Sequence, residues 1–394
     1  MSVAARPATV AGGLASWLAP QRLVMLVFFI QSAEVNNWYP RIPDLQHQLG
    51  IGPAELSVAL LGMPLGGFFA TMVVARLIEK LTARRTIIVG FVAYTIAQFL
   101  PGWAWNVASL FVALALMGGT YVAIDISTNV EAARIQSELG RRIMSTCHGF
   151  WSLGSMLGLV MGSVFAQFAV NTRWHLLLVG VIALPLGLVT SRALPTFPAK
   201  EAGEPRVPAI SLPSRAMVGL CIFAFGVLLA ELTTRNWGAV YVREAIGASP
   251  AAAGVAFAAF SLFMAIGRLF GDRLTDRFGP VALGRFCAAI AIAGVGVLLV
   301  APNVAFGTIG FAALGVGVSV GFPLAVTAAA SLGDRSPATN VAALALIAYT
   351  GAIVGPPLVG FVAQGAGLRA GLAAILPLML LSALFAGSLK RRET

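Results

Sequence analysis

Ionisable side chains interrupt stretches of the chain that are otherwise apolar. A charged group in apolar surroundings is costly unless it has a partner, so such residues mark sites that carry protons or bind polar ligands. We expect Asp125 to be the main proton site, because Tyr121 and Thr128 share its helical face. The four candidate proton carriers are Glu34, Asp125, His148 and Glu231.

Polar and aromatic side chains recur near these acids at helical spacing. In the first apolar stretch Gln31, Glu34, Trp38, Arg41 and Asp44 are three or four residues apart, which places them on one helical face. This face would line a pathway; alternatively, the last two residues simply pair at its end. Rings that stack on a sugar and hydrogen-bonding groups complete the predicted substrate site. The candidate substrate-binding residues are Asn36, Asn37, Trp38, Tyr121, Thr128, Asn129, Trp151, Ser152, Arg235, Asn236, Trp237 and Tyr349.

Several of these features also have a purely structural explanation. Glu231 precedes Arg235 by four residues, the favourable order for an ion pair within one helix. The pair is therefore either a switch that opens on ligand binding or a self-neutralised pair. His148 either titrates near neutral pH or donates to a neighbouring helix, and each Trp is either a stacking surface or an anchor at a membrane interface.

The elements that must position these residues are membrane-spanning helices. Of the 394 residues, 58% are hydrophobic and 10% are charged, and the mean hydropathy is +0.89. A soluble globular protein carries about 25% charged residues, so a soluble fold is excluded. Apolar runs of about 20 residues or more predict an all-α polytopic membrane protein with twelve spans. The predicted spans are 21–47, 53–79, 84–102, 106–136, 141–170, 172–192, 215–245, 249–275, 281–300, 304–332, 336–366 and 369–389.

The net charge of +11 is explained by topology. With the N-terminus inside, most of the 26 Lys and Arg fall in cytoplasmic tails, loops or helix ends, as in Arg141, Arg142 and the terminal 390–392 cluster. We therefore predict a multi-pass protein of the inner membrane with both termini cytoplasmic. We therefore expect the positive charge to reflect insertion in a lipid bilayer and not binding of nucleic acid.

An internal repeat divides the chain into halves. Adding 197, half of the length, to Glu34, Arg76 or Lys80 reaches a residue of like charge in the second half. This predicts two six-helix bundles related by a pseudo-twofold axis, an arrangement found in secondary transporters. The predicted units are residues 1–192, a proline-rich cytoplasmic linker at 193–214, and residues 215–394.

Charged residues between spans 8 and 9, and between spans 2 and 3, form a repeated pattern. Residues 271–280, GDRLTDRFGP, resemble the cytoplasmic signature of the major facilitator superfamily, and residues 76–85 are a degraded copy in which Thr82 stands for a Gly. These residues either latch one conformation or only supply inside positive charge. The candidate gating residues are Glu79, Lys80, Asp272, Arg273, Asp276 and Arg277.

Residues 33–43, 124–131 and 148–154 together resemble the MosC-like group of this superfamily, a relative of the fucose permeases. This resemblance implies the major facilitator fold, and it places Asp125 and Asn129 on the coupling acid and the following Asn of the permeases. Tyr39 stands where the permeases carry a span 1 Asp, so their coupling scheme is not carried over directly.

Proton-coupled import of a sugar, polyol or amino-cyclitol by alternating access is the leading hypothesis, and efflux of a drug or metabolite is the alternative. A receptor or a membrane enzyme is a third class. The sequence has no metal-ligand cluster, phosphate loop or nucleophile elbow, so we predict no cofactor, no metal and no enzyme activity. The predicted partners are the solute and protons, and the predicted state is a monomer.

Overall fold

The fold consists of helices and their connections. The structure, a computed structural model, describes residues 19–140, 143–197 and 211–390, and these ranges contain no strand. The predicted N-terminal tail, the Arg141–Arg142 pair, most of the central linker and the basic residues after Lys390 lie outside the described residues. α6 ends at Ala193 and the next helical turn begins at Arg215.

Six helical spans form the first half and six form the second, at the predicted positions. The first half contains α1 (Pro20–Asn36, continued by Tyr39–Arg41 and Ile42–Leu49), α2 (Pro53–Leu60 and Gly62–Leu81), α3 (Ala83–Phe99), α4 (Val107–Leu139), α5 (Met144–Gln167) and α6 (Thr172–Ala193). The second half contains α7 (Val218–Val240 and the π-helical turn Tyr241–Ala245), α8 (Pro250–Phe278), α9 (Pro280–Val300) and α10 (Val304–Ser319 and Gly321–Ala330). The run Pro337–Ala373 supplies α11 (337–366) and starts α12, which continues through Leu376–Phe385.

Twelve spans follow from these helices. Ten helical stretches of the described chain are long and apolar enough to cross a membrane. One of them, Thr339–Leu389, has 51 residues and breaks at Gly367, where φ is 85°, so it crosses twice. Pro20–Asn36 has 17 residues and needs its continuation to residue 49 to span about 30 Å. The prediction of an all-α protein with twelve transmembrane helices agrees with this architecture.

Helix starts show the internal repeat in their chemistry. Pro53 and Pro250 begin α2 and α8, where a missing N–H costs nothing. Asn106 and Asn303 cap α4 and α10, and each side-chain oxygen accepts from the first-turn backbone N–H groups. Both pairs are separated by 197 residues, so the two halves begin equivalent helices with the same chemistry.

Close helix packing repeats in the same way. A Cβ on Gly118 of α4 would lie 2.0 Å from the carbonyl oxygen of Met63 in α2. A Cβ on Gly315 of α10 would lie 2.3 Å from that of Phe260 in α8. Each glycine lets two helix backbones touch, and both members of each contact are shifted by 197 residues, which gives the sequence repeat a structural counterpart.

The halves meet at the end of the molecule where α1 finishes, which we call the closed end. There the Asp44 carboxylate pairs with Arg243, and His47 Nε2 lies 3.1 Å from Glu244 Oε1. Nearby, the Ala251 N–H donates to Gln167 Oε1 at 3.1 Å. The first and last helices begin and finish at the opposite end, which we call the open end.

Candidate functional site

A chain of side chains crosses the centre of the molecule between the two halves. The Arg235 guanidinium on α7 lies over the Trp151 ring on α5, 5.1 Å from its centroid. Trp151 Nε1 donates to the Tyr121 hydroxyl on α4 at 3.1 Å. Arg235 also donates to Asn36 Oδ1 on α1 at 3.3 Å. Polar and aromatic groups from four helices thus converge at one place.

Asp125 forms one side of this centre. Its Oδ1 accepts from Gln31 Nε2 at 3.4 Å, and Thr128 Oγ1 donates to the oxygen of the same amide at 3.4 Å. Tyr349, from the second half, lies against α2 of the first half, where its ring is 6.0 Å from that of Phe68. The Asp125 residue is partly accessible, and its bond to Gln31 is long.

A second group of charges forms the other side. Glu231 on α7 accepts from Arg235 at 3.2 Å and from Arg268 on α8 at 3.5 Å, each through a different carboxylate oxygen. The side-chain exposures of Glu231 and Arg235 are 11% and 7%, whereas that of Arg268 is 29%. The predicted Glu231–Arg235 pair within α7 therefore exists, and Arg268 from α8 is a third member of this charged group.

Small residues on α8 position this additional arginine. Gly267 and Gly271, on either side of Arg268, let α8 approach α10 closely. A Cβ on Gly267 would lie 2.3 Å from Ser319 Oγ, and a Cβ on Gly271 would lie 2.8 Å from the Val320 side chain. The first segment of α10 ends at Ser319, whose carbonyl is then free to accept from Arg268 Nε at 3.3 Å.

The site is accessible from the open end. His148, in the second turn of α5, is exposed, and its ring lies 5.3 Å from that of Phe28. Toward the closed end the surrounding side chains become buried, as at Asn36 and Trp38. The exposure of the side chains at the centre therefore decreases from the open end toward the closed end.

Comparison with known proteins agrees with this geometry. The family model of the Major Facilitator Superfamily matches residues 24–235 and 213–394, which together cover nearly the whole chain. The chain belongs to the major facilitator superfamily. Two relatives are 27% identical to it: the Uncharacterized transporter y4wD of Sinorhizobium fredii, over 89% of this chain and 93% of the relative, and the Membrane protein MosC of Rhizobium meliloti, over 88% and 84%.

Solved structures of the superfamily share the fold. The nucleoside transporter NupG superposes with a TM-score of 0.74 at 13% identity, over 94% of this chain and 98% of that chain. The transporter FucP in the outward conformation gives a TM-score of 0.63 at 16% identity, over 96% and 100%. The resemblance to MosC and to the fucose permeases, inferred from short motifs, is confirmed, as is the fold.

Glu34 is placed apart from the centre of this major facilitator fold. It is buried, and its Oε1 accepts from Thr95 on α3 at 3.1 Å, while Oε2 has no hydrogen-bond partner among the described residues. The adjacent cavity of about 120 Å³ lies between α1, α5 and α6 and is lined almost entirely by apolar groups such as Leu157 and Ile182. The expected stripe on α1 therefore divides: Gln31 faces α4, and Glu34 faces α3.

Several other predicted substrate residues hydrogen-bond to the backbone of their own helices. The side chains of Asn37, Asn129, Ser152 and Asn236 each donate to the carbonyl four residues earlier. Trp38 and Trp237 are 2% and 1% exposed, and their indole N–H groups have no partner among the described residues. The structure places both rings in the packed core toward the closed end and not on the cavity wall.

The predicted gating residues all lie at the open end. Glu79 and Lys80 are exposed near the end of α2, and so are Asp272, Arg273 and Asp276 near the end of α8. The Arg277 guanidinium lies over the Phe278 ring, 5.3 Å from its centroid. Their role as a latch stays a prediction.

Two positions were not anticipated from the sequence. Arg268 lies ten residues before Phe278, the last residue of α8, which is about 15 Å along the helix from its open end. Its position inside the apolar run 249–275 was the available signal. His175 had no such signal: its Nδ1 lies 3.1 Å from Arg41 and its Nε2 3.2 Å from Asn37, a contact between distant segments.

Proposed function

We propose that this protein is a proton-coupled secondary transporter that imports a small polar solute, a sugar, polyol or amino-cyclitol, by alternating access between its halves. The observation that carries this proposal is the chain of contacts from Arg235 through Trp151 to Tyr121, one helical turn from Asp125, between the two halves. Stacking rings beside hydrogen-bonding groups match a polyhydroxylated ring. With both termini cytoplasmic, as the basic residues predict, the cavity opens inward.

Asp125 is the coupling site in this proposal. Its carboxyl accepts from Gln31, whose amide oxygen accepts from Thr128, and among the described residues no arginine or lysine hydrogen-bonds to Asp125. An unpaired carboxylate is costly inside the membrane, so the helices close around it more easily when it is protonated. Proton binding and solute binding then favour the same occluded state, and this differential affinity couples the two.

Replacement of Asp125 tests the coupling. In proteoliposomes, Asp125→Asn is expected to retain counterflow, the exchange of labelled for unlabelled solute across the membrane. It is expected to lose accumulation driven by a pH gradient, because the amide is permanently neutral. Glu138→Gln is the matched control, since it removes an exposed acid from the open end of the same helix. It is expected to accumulate solute normally.

The outcome also separates import from export. Uptake driven by an acidic exterior supports import, whereas accumulation inside inverted vesicles with an acidic lumen supports the efflux alternative. Normal accumulation by Asp125→Asn would remove this residue from the coupling mechanism. A thermal-shift screen of sugars, cyclitols, amines and lipophilic cations supplies the solute, and stabilisation by lipophilic cations alone would contradict the polar-solute proposal.

A further inference from the structure

The charges around the central cavity do not balance on the α7–α8 side. Arg235 and Arg268 share a single acid, Glu231, so this side carries one surplus positive charge. Asp125, the other acid of the cavity, bonds to Gln31 on α1 and not to either arginine. A surplus charge at membrane depth is costly and calls for a partner.

Arg268 is the arginine that has capacity for that partner. Arg235 already contacts Asn36, Glu231 and the face of Trp151, and only 7% of its side chain is accessible. Arg268 makes one bond to the Ser319 carbonyl and one long bond of 3.5 Å to Glu231 within the described residues, and 29% of its side chain is accessible. Five N–H donors on a planar group leave a fork free for a carboxylate.

We infer that the transported solute is a polyhydroxylated monocarboxylate, a sugar acid, whose carboxylate binds Arg268; this rests on the proposed function. The carboxylate binds the N–H groups of Arg268 on α8 that its bonds to the Ser319 carbonyl and to Glu231 leave free. The hydroxyl groups then reach Trp151 and the Asp125–Gln31–Thr128 side.

This assignment also explains why protonation of Asp125 matches the charge of the site to the charge of the solute. With Asp125 protonated, the cavity formed by Glu231, Arg235 and Arg268 has a net charge of +1, which one carboxylate neutralises. A neutral sugar would leave that charge uncompensated, and an amine would add to it. We therefore expect the site to bind a sugar acid more tightly than a neutral sugar, and an amino sugar least tightly.

Three compounds with the same ring and different charge test the inference. Binding of D-glucuronate, D-glucose and D-glucosamine, and of the corresponding galacto series, is measured by thermal shift and by uptake into proteoliposomes. We expect the uronates to bind at least tenfold more tightly than the neutral sugars. Arg268→Gln should weaken uronate binding by about 10- to 100-fold, as expected for loss of a bond to a charged group, and should change neutral sugar binding by less than about threefold.

Two further variants guard against misfolding and nonspecific charge effects. Arg268→Lys keeps the charge and should retain most of the uronate preference, whereas Arg285→Gln removes an exposed arginine from α9 and should leave binding unchanged. Preference for glucose or glucosamine would overturn the inference and leave the proposed transport of polar solutes intact. Binding of none of the six compounds would overturn the inference, and the wider screen with cyclitols and lipophilic cations then decides the proposed transport of polar solutes separately.

Discussion

Arg41 illustrates how a single buried side chain can hold three segments of the protein together. Its guanidinium donates to Asp44 Oδ2 and to the Val170 carbonyl, both at 2.6 Å, and to Thr172 Oγ1 at 3.0 Å, and it also contacts the His175 ring. The side chain is 3% exposed. The arginine thereby joins α1 to the α5–α6 connection.

The conservative variant Arg41→Lys is therefore expected to be strongly destabilising. A lysine ammonium cannot reproduce the forked set of bonds, and the acceptors left without donors are buried, so we expect a loss of about 2–4 kcal/mol in the free energy of unfolding. Chemical denaturation in detergent measures the change. Arg285→Lys, on an exposed part of α9, should stay within about 0.5 kcal/mol. Equal stability of the two variants would show that the bonds to Arg41 contribute little.

Residue types indicated which side chains matter more clearly than where they point. The composition and the apolar spans made Asp125, Glu231 and Arg235 conspicuous, and all three lie at the centre. The direction of Glu34 and the partners of Arg41 depend on residues about 60 and 130 positions away, Thr95 and His175. Helical periodicity describes one helix and contains no information about which neighbour faces it.

At the scale of elements, the connections α2–α3 and α8–α9 have the same backbone. Gly279 ends α8 with φ 79° and ψ 156°, and Thr82, which is 197 residues earlier, ends α2 with φ 81° and ψ 154°. This region is essentially restricted to glycine, and other residues pay about 1–3 kcal/mol to occupy it. The degraded motif in the first half thus has a threonine in place of the glycine, but it has kept the same backbone conformation.

Restoring the glycine should stabilise the protein. Thr82→Gly removes the strain and loses a weak cap, since Thr82 Oγ1 accepts from the Arg85 N–H at 3.4 Å. We expect a net gain of about 1 kcal/mol in unfolding free energy, seen as a higher Tm in detergent. Thr82→Ala keeps the strain and loses the cap, so it should lower Tm. A lower Tm for Thr82→Gly would mean that the cap outweighs the strain.

The helices themselves were largely predictable, because each needs about 20 apolar residues and the connections are short and polar. All twelve predicted spans have a helical counterpart. The break at Ser319, between the two segments of α10, was not anticipated. Pro323 was the available signal, because a proline has no N–H to donate to the carbonyl four residues earlier. That this carbonyl accepts from Arg268 is a contact that only the packed bundle creates.

At the scale of the whole molecule, charged side chains at the closed end connect the two halves. Asp44 bridges Arg41 in its own half and Arg243 in the other, and only the second of these bonds must break when the closed end opens. A bond between charged groups contributes about 1.5–3 kcal/mol, which is enough to change the ratio of two conformations by about tenfold or more.

Asp44→Asn should therefore shift the population toward a state in which the closed end is open. Spin labels at Gln48 and at Gly365, an exposed position with free space around it, report the separation of the halves by double electron–electron resonance. We expect a longer-distance population to grow about tenfold, and Arg243→Gln should produce the same shift. Asp334→Asn, an exposed acid within the second half, is the control. Unchanged distances in both test variants would show that the pair does not hold this end closed.

The same closed-end contacts have a consequence for how the two halves diverged. A fusion of two identical segments starts with every contact between them present twice, once for each direction. Here the partner positions no longer match: 197 residues after Asp44 stands Tyr241, and 197 residues before Arg243 stands Gln46. The Asp44–Arg243 ion pair consequently has no counterpart at the equivalent positions of the repeat, and one substitution can alter it without affecting an equivalent contact.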